Sequence, residues 1–436
     1  MTSEQLNTTW DLISFLGKCP TAYQAVETIS TMLESAGFAL LREGERWDLI
    51  PDGKYYITRN LSSLVAFRIP SGPAHGFQIA ASHSDSPAFK LKPSYEADGA
   101  GLYVRLNTER YGGMLMNTWF DRPLSIAGRV ILRNGSCFTA KPVALDRDLC
   151  VIPSVAIHMN RNANDGVKLN AACDTFPLLC SSAGRGSLLP IVAEAAGAAP
   201  EEIASADLFL FDRAPGTIWG PLEEYFTAHR IDDLMCAYGT LRGFLSSEGG
   251  RAVQVYTLFD NEETGSATKQ GAGSMFLRDS LSRIAEAMGN DFRQMLSCSF
   301  LLSADNGHAR HPNHPEFSDP QNSPKMNGGI VIKSNTAQKY ATDGISAAIF
   351  AEICRKADVP VQFFSNRSDL PGGSTLGSIA DTGVPVYTAD IGLAQLAMHS
   401  CRETAGCADT AYLVSASRAY FKSALDALRD GEINLF

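Results

Sequence analysis

Where the apolar run "YTLF" gives way to "DNEETGS", three acids crowd into four residues: Asp260, Glu262 and Glu263. Adjacent carboxylates repel, and a strand that enters a core has no use for them. Divalent cations resolve the conflict by making the two glutamates inequivalent. One is neutralised as a ligand, and the other stays free as a general base toward an activated water. Gly265 then permits the tight turn into the next element.

The same kinds of side chain recur elsewhere. "SHSDS" offers His83 and Asp85, "HRIDDL" offers Asp232 and Asp233, "ADNGHARHPNH" offers Asp305 and His308, and "QLAMHSCRET" offers His399. Taken singly, each has a plainer reading. An HxD is usually a surface turn, and Asp232 and Asp233 suit the first turn of a helix. Cys236 and Cys401 read as small buried hydrophobes. His308, His311 and His314, spaced three apart in a Pro/Asn-rich loop, read as solvated or substrate-facing rather than as a zinc cluster. Convergence is what gives these residues weight, because histidines with several carboxylates suit a pair of borderline-hard divalent cations. Asp85, two residues past His83, is placed to accept the second N–H of that imidazole.

The elements that must position these residues follow from hydrophobic periodicity. Two helices are expected within 3–36, broken at Cys19-Pro20, and "FQIAASHSD" (77–85) reads as a buried strand running into a polar turn. From Pro87 to Pro221 the texture turns β-rich, with turn signals such as Asn134-Gly135. After Ile231, helices expected at 231–246, 267–287, 343–357 and 410–428 alternate with strands at 251–259, 297–304, 359–364 and 384–389. The fold class expected is α/β, a mostly parallel sheet with helices on both faces and an inserted β-rich domain. Residues 1–86 and 223–436 would form the catalytic domain, and 87–222 the insertion. Ligands of open α/β sheets bind beyond the carboxyl ends of the strands, which is where the His, Asp and Glu segments fall.

The bulk numbers bound the function. A chain of 436 residues exceeds one ordinary core. With 45% hydrophobic and 19% charged residues it has the profile of a well-packed globule. A net charge of −10 with scattered Lys and Arg argues against nucleic acid or anionic membrane as main partners. No apolar segment approaches the ~20 residues of a bilayer span, and no signal-peptide pattern is visible at the amino terminus. Ten dispersed cysteines without a CxxC suit reduced thiols, so a cytoplasmic protein is expected.

The stretches "ASHSDSPAFKLKP", "NTWFDRPLSIAGRV", "VAIHMNRNAN", "HRIDDL", "FDNEETGS", "SADNGHARHPNH", "IKSNTAQKYATDG" and "QLAMHSCRE" together resemble the M18 metallopeptidases, the aspartyl aminopeptidase family. They run in the family's order from residue 81 to 403, so the resemblance spans essentially the whole chain. It implies a zinc-exopeptidase-like α/β catalytic domain interrupted by a β-rich domain, two metal ions, usually zinc, and a tetrahedral homo-dodecamer. Mn or Co would also suit such ligands. By the same resemblance His83, Asp232 and Asp305 would hold one ion, and Asp232, Glu263 and His399 the other, with Glu262 as base. His158 would reach a neighbouring subunit's site, and Lys333 would meet an acidic substrate side chain. The family often has Asp-Asn where this chain has Asp232-Asp233; either acid could bridge, and motif register favours Asp232. The expected activity is removal of an N-terminal residue, preferably Asp or Glu, from peptides. The alternatives are an aminopeptidase for neutral residues, a deacylase on the same scaffold, and a catalytically silent shell- or cargo-binding particle.

Overall fold

A computed structural model describes residues 1–436. Its centre is a nine-stranded sheet in which the strands Val253–Phe259, Phe77–His83, Phe300–Ala304 and Tyr387–Gly392 lie side by side, all parallel. Antiparallel pairings flank this group, to Ser63–Arg68 on one side and Ile330–Ser334 on the other. Side chains alternate between two cores, as a period of two requires. Ile79 and Ala81 enter the core beneath helix Phe276–Ala287, whereas Ala80 enters the larger core with helices Ile231–Ser246 and Asp409–Lys422. Helices therefore cover both faces, and the strands read as apolar runs because both of their faces are buried.

The β-rich part forms its own six-stranded antiparallel sheet, ordered 137–144, 125–134, 203–211, 88–99, 103–111, 178–181. Its separate core includes Phe89, Trp119, Ile126 and Leu208. A third sheet of five short strands, among them Gly307–His308, Ala394–Leu396 and Glu403–Gly406, holds the loops over the carboxyl edge of the central sheet.

Several local expectations change. The helix expected over 267–287 begins only at Phe276. Gly271 and Gly273 lie so close to the Ser266 carbonyl that a Cβ would sit 2.3 and 3.0 Å from it, and this folds 267–275 into turns. The helix expected over 410–428 ends at Lys422, and a hairpin, Leu425–Arg429 with Glu432–Leu435, follows. Asp430-Gly431 supplies its two-residue turn, with Gly431 at φ +77°. Helix Leu188–Ala196 was hidden in the β-rich texture; it buries Leu188, Val192 and Ala196, one face at four-residue spacing, on the inserted core.

Candidate metal centre

The register of the central strands brings the distant segments together. His83 is the last residue of its strand and lies opposite Phe259, so the Glu262–Glu263 turn begins beside it. Phe300–Ala304 pairs with the other edge of the same strand and ends one residue before Asp305. Asp232 and Asp233 open the helix Ile231–Ser246 in non-helical conformation. His399, at φ +65°, tops the turn between Ala394–Leu396 and Glu403–Gly406.

Three overlapping groups of donor atoms result. The ligating atoms of His83, Asp232, Asp233 and Asp305 lie within 4.8 Å of one another, as do those of Asp232, Glu263 and His399 and those of His83, Glu262 and Glu263. His83 Nε2 is 3.5 Å from Asp232 Oδ1 and 3.8 Å from Asp305 Oδ1. His399 Nε2 is 3.3 Å from both Asp232 Oδ2 and Glu263 Oε1. Asp232 thus stands between two imidazoles. A further group, His75 with Cys298 and Asp426, sits at the opposite edge, before the strands Phe77–His83 and Phe300–Ala304 begin.

Both tautomers are set by acceptors behind the rings. His399 Nδ1 donates to the Gly113 carbonyl at 2.5 Å, which leaves Nε2 with its lone pair toward the carboxylates. His83 Nδ1 has the Asp85 backbone carbonyl at 3.1 Å and the Asp85 carboxylate at 3.4 Å. The Asp85 carboxylate has more to do than was anticipated: it accepts the backbone N–H groups of Glu262 and Glu263 at 3.1 and 3.2 Å and the Tyr111 hydroxyl at 2.7 Å.

Asp233 and Glu403 tie the remaining segments. Asp233 is fully buried and accepts the backbone N–H groups of His83 and Asn306, at 3.1 and 3.2 Å. Glu403 accepts those of Asp232 and His399. Glu403, Tyr111, Gly113 and Asn306 were missed as contributors. Glu403 lay inside the quoted "HSCRE", but nothing in its spacing showed that it would fold back beneath Asp232.

The electrostatics ask for cations. His83, Asp232 and Asp305 are buried, and Asp232 Oδ1 and Glu263 Oε1 have no hydrogen-bond partner. Orphaned carboxylate oxygens are costly in a low dielectric, and imidazole lone pairs aimed at them complete a donor set that fits divalent ions. Burial, reinforced by the neighbouring acids Asp305, Glu263 and Asp85, pushes the Glu262 carboxyl up to about 8. Burial likewise raises Glu403 to about 8.

The other expected site residues are placed differently. Lys333 is buried, with Nζ donating to the Asn306 carbonyl at 2.8 Å and 3.5 Å from Asp305 Oδ2. His308 is exposed at the rim, where it lines a cavity of about 330 Å³ with Phe364, Arg367 and Gln395. His158 is exposed on the inserted part and enters none of the donor groups.

The model of the family "Aminopeptidase I zinc metalloprotease (M18)" matches residues 15–421. The chain belongs to the M18 family. It is a metallo-aminopeptidase, an exopeptidase that hydrolyses peptides. It is 42% identical to a probable M18 family aminopeptidase 2 of Clostridium novyi, over 94% of this chain and 98% of the relative. It is 35% identical to the aspartyl aminopeptidase of Dictyostelium discoideum, over 94% of this chain and 96% of that protein. It also superposes on the mApe1 dodecamer structure of S. cerevisiae with a TM-score of 0.84 and 29% identity, covering 97% of each chain. M18 is described as a zinc metalloprotease family, and the donor set described above suits a divalent ion.

Proposed function

We propose that this M18 aminopeptidase holds two divalent cations and releases one N-terminal residue, preferably Asp or Glu, from peptides. The two-cation reading is carried by Asp232, whose oxygens face different histidines at 3.5 and 3.3 Å. His83, Asp232 and Asp305 would hold one ion, and Asp232, Glu263 and His399 the other. Asp232 is favoured over Asp233 as the bridge, since both oxygens of Asp233 already accept backbone N–H groups. Zinc suits this set, and Mn or Co suits it too.

Ions bound there supply Lewis acidity and lower the pKa of water toward neutrality. Glu262 is then the general base: it takes a proton from the attacking water and delivers it to the leaving amine. Its neighbour Glu263 points to His399 instead, so the adjacent acids have separate tasks. Asp85 fixes both by holding their backbone N–H groups.

The acidic preference draws on the name of the Dictyostelium relative and on Lys333, a buried cation beside Asp305. An acidic side chain entering a carboxylate-lined site needs such a partner. For assembly, we propose a tetrahedral homo-dodecamer in which residues 87–222 form much of the contact and His158 completes a neighbour's site. Support comes from the likeness to the mApe1 dodecamer and from Val155, Ile157 and Met159, exposed apolar residues flanking His158. Ten free cysteines, six of them buried, support a reducing, cytoplasmic setting.

The test is metal analysis of the purified chain with kinetics on a panel of free-amine and N-acylated substrates. Two ions per chain and highest kcat/KM on N-terminal Asp or Glu are expected. One ion at saturation overturns the two-cation reading, a Leu optimum overturns the acidic preference, and turnover of N-acyl amino acids alone points to a deacylase.

A further inference from the structure

Both histidines and both glutamates at the centre are held, directly or through one residue, by a short run of the inserted part. The strand Ala88–Gly99 starts three residues after Asp85, and its partner Tyr103–Tyr111 returns so that Tyr111 lies opposite Ala88. That register delivers the Tyr111 hydroxyl to Asp85 Oδ2, to which it donates at 2.7 Å. The same hydroxyl accepts from Asn261 Nδ2 at 2.8 Å, on the residue that opens the Glu262–Glu263 turn. The Tyr111 ring is anchored edge-on against Phe209 of the inserted sheet, with centroids 5.5 Å apart.

The chain then crosses the site. Gly112, at φ +74°, passes so close to Glu263 that a Cβ would sit 3.1 Å from the Glu263 Cβ. The Gly113 carbonyl accepts the hydrogen bond from His399 Nδ1. The Leu115 N–H donates to the His399 carbonyl at 2.9 Å, and Thr118 Oγ1 accepts the Cys401 N–H at 2.8 Å. His399 is thereby gripped at its ring and its backbone by residues far away in sequence.

We infer that residues 111–118 form a positioning strap for the Glu263–His399 side of the metal centre, with Tyr111 as its positioning residue. The inserted part would thus set metal affinity within its own subunit, separately from any role in assembly. The physical reason is that a histidine ligand is oriented by what its other nitrogen donates to, and such outer partners change metal affinity about 10- to 100-fold. Here the acceptor is a backbone carbonyl of another structural unit. Its position depends on the hairpin register and on the anchoring of Tyr111, not on the catalytic sheet. This inference rests on the two-cation reading above.

The experiment uses the full chain, stripped of metal and titrated with Zn(II) against a chromophoric chelator, alongside steady-state kinetics. Tyr111→Phe removes one hydroxyl and keeps the ring against Phe209. Expected are two Zn(II) sites in the wild type, and in the variant one site weakened about tenfold or more, with kcat reduced and KM nearly unchanged. If Tyr111→Phe misfolds, Thr118→Ala, which deletes the acceptor for Cys401, must weaken the same site, and Thr118→Ser must restore it. A merely structural role would lower the melting temperature of the metal-stripped chain and leave Zn(II) affinity unmoved. Two equally tight sites in wild type and variant alike overturn the strap; a wild type that binds a single Zn(II) overturns the two-cation reading instead.

Discussion

Glu403 sits beneath Asp232, accepting its backbone N–H at 2.9 Å through Oε2 while Oε1 takes the His399 N–H at 2.7 Å. One buried carboxylate therefore fixes the spacing of two candidate ligands that are remote in sequence. In Glu403→Gln an amide nitrogen must face a backbone N–H, and leaving that buried donor unpaired costs about 1–3 kcal/mol. Expected are a lower melting temperature and zinc affinity weakened by about 10- to 100-fold. Wild-type affinity in a chelator competition would leave Glu403 no part in setting the site.

The paired glutamates should separate by phenotype. Glu262→Gln keeps the shape and removes the proton acceptor, so turnover should fall about 10²–10⁴-fold with both ions retained. Glu263→Ala deletes the carboxylate 3.3 Å from His399 Nε2 and should lower metal content as well. Elemental analysis beside kcat distinguishes them, and identical metal loss in both variants would contradict the division of labour.

Lys333 offers a test with two readable outcomes. Its ammonium lies against Asp305 and the Asn306 carbonyl. If it also meets an acidic substrate, Lys333→Met loses a charge-assisted hydrogen bond worth about 1.5–3 kcal/mol. The Asp-over-Leu ratio of kcat/KM should then fall about ten- to a hundredfold. An equal drop on both substrates assigns Lys333 to holding Asp305 rather than to selection.

His158→Ala should reduce kcat with metal content unchanged, and dissociated subunits should be poorly active. Sedimentation combined with activity measurement checks this. A fully active monomer would remove the proposed contribution to a neighbouring site.

The pH dependence of stability has an identifiable contributor outside the metal centre. His229 is buried, its Nε2 donates to the Leu16 carbonyl at 2.9 Å, and burial pushes its pKa down to about 4. A lowered histidine pKa means the unfolded chain binds the extra proton first. The folded state therefore keeps its full advantage above the unfolded value near 6.5 and loses it as pH falls toward 4. Between pH 7 and 5 this amounts to about 2 kcal/mol. His229→Gln should be less stable at pH 7 but should lose less on acidification. Denaturant midpoints of both proteins at the two pH values report the difference, and parallel losses would exclude His229 as the source.

The sequence by itself determined which segments carry donor side chains. Residue type and local spacing carry information about what a segment can do, so "HSD", "DNEE", "IDD" and "MHS" announced His83, Glu262, Glu263, Asp232 and His399. Apolar runs long enough to be buried on both faces announced the parallel strands, and a polar residue at the end of such a run announced the edge where the donors meet. Signals that depend on a single turn went unread: the helix expected over 410–428 ran into the first strand of the hairpin that turns at Asp430-Gly431, and the glycines at 271 and 273 shortened another helix.

What only the tertiary structure decided is how the donors are held apart and aimed. Asp232 and Asp233 are neighbours of identical type, and they differ only because the Asp233 oxygens meet the N–H groups of His83 and Asn306 while those of Asp232 meet two imidazoles. The acceptor behind His399 is a backbone carbonyl at Gly113, and a carbonyl has no residue type for a sequence to display. Glu403 and Tyr111 act across separations of 171 and 26 residues. Such contacts are fixed by strand register and packing, which no local pattern encodes.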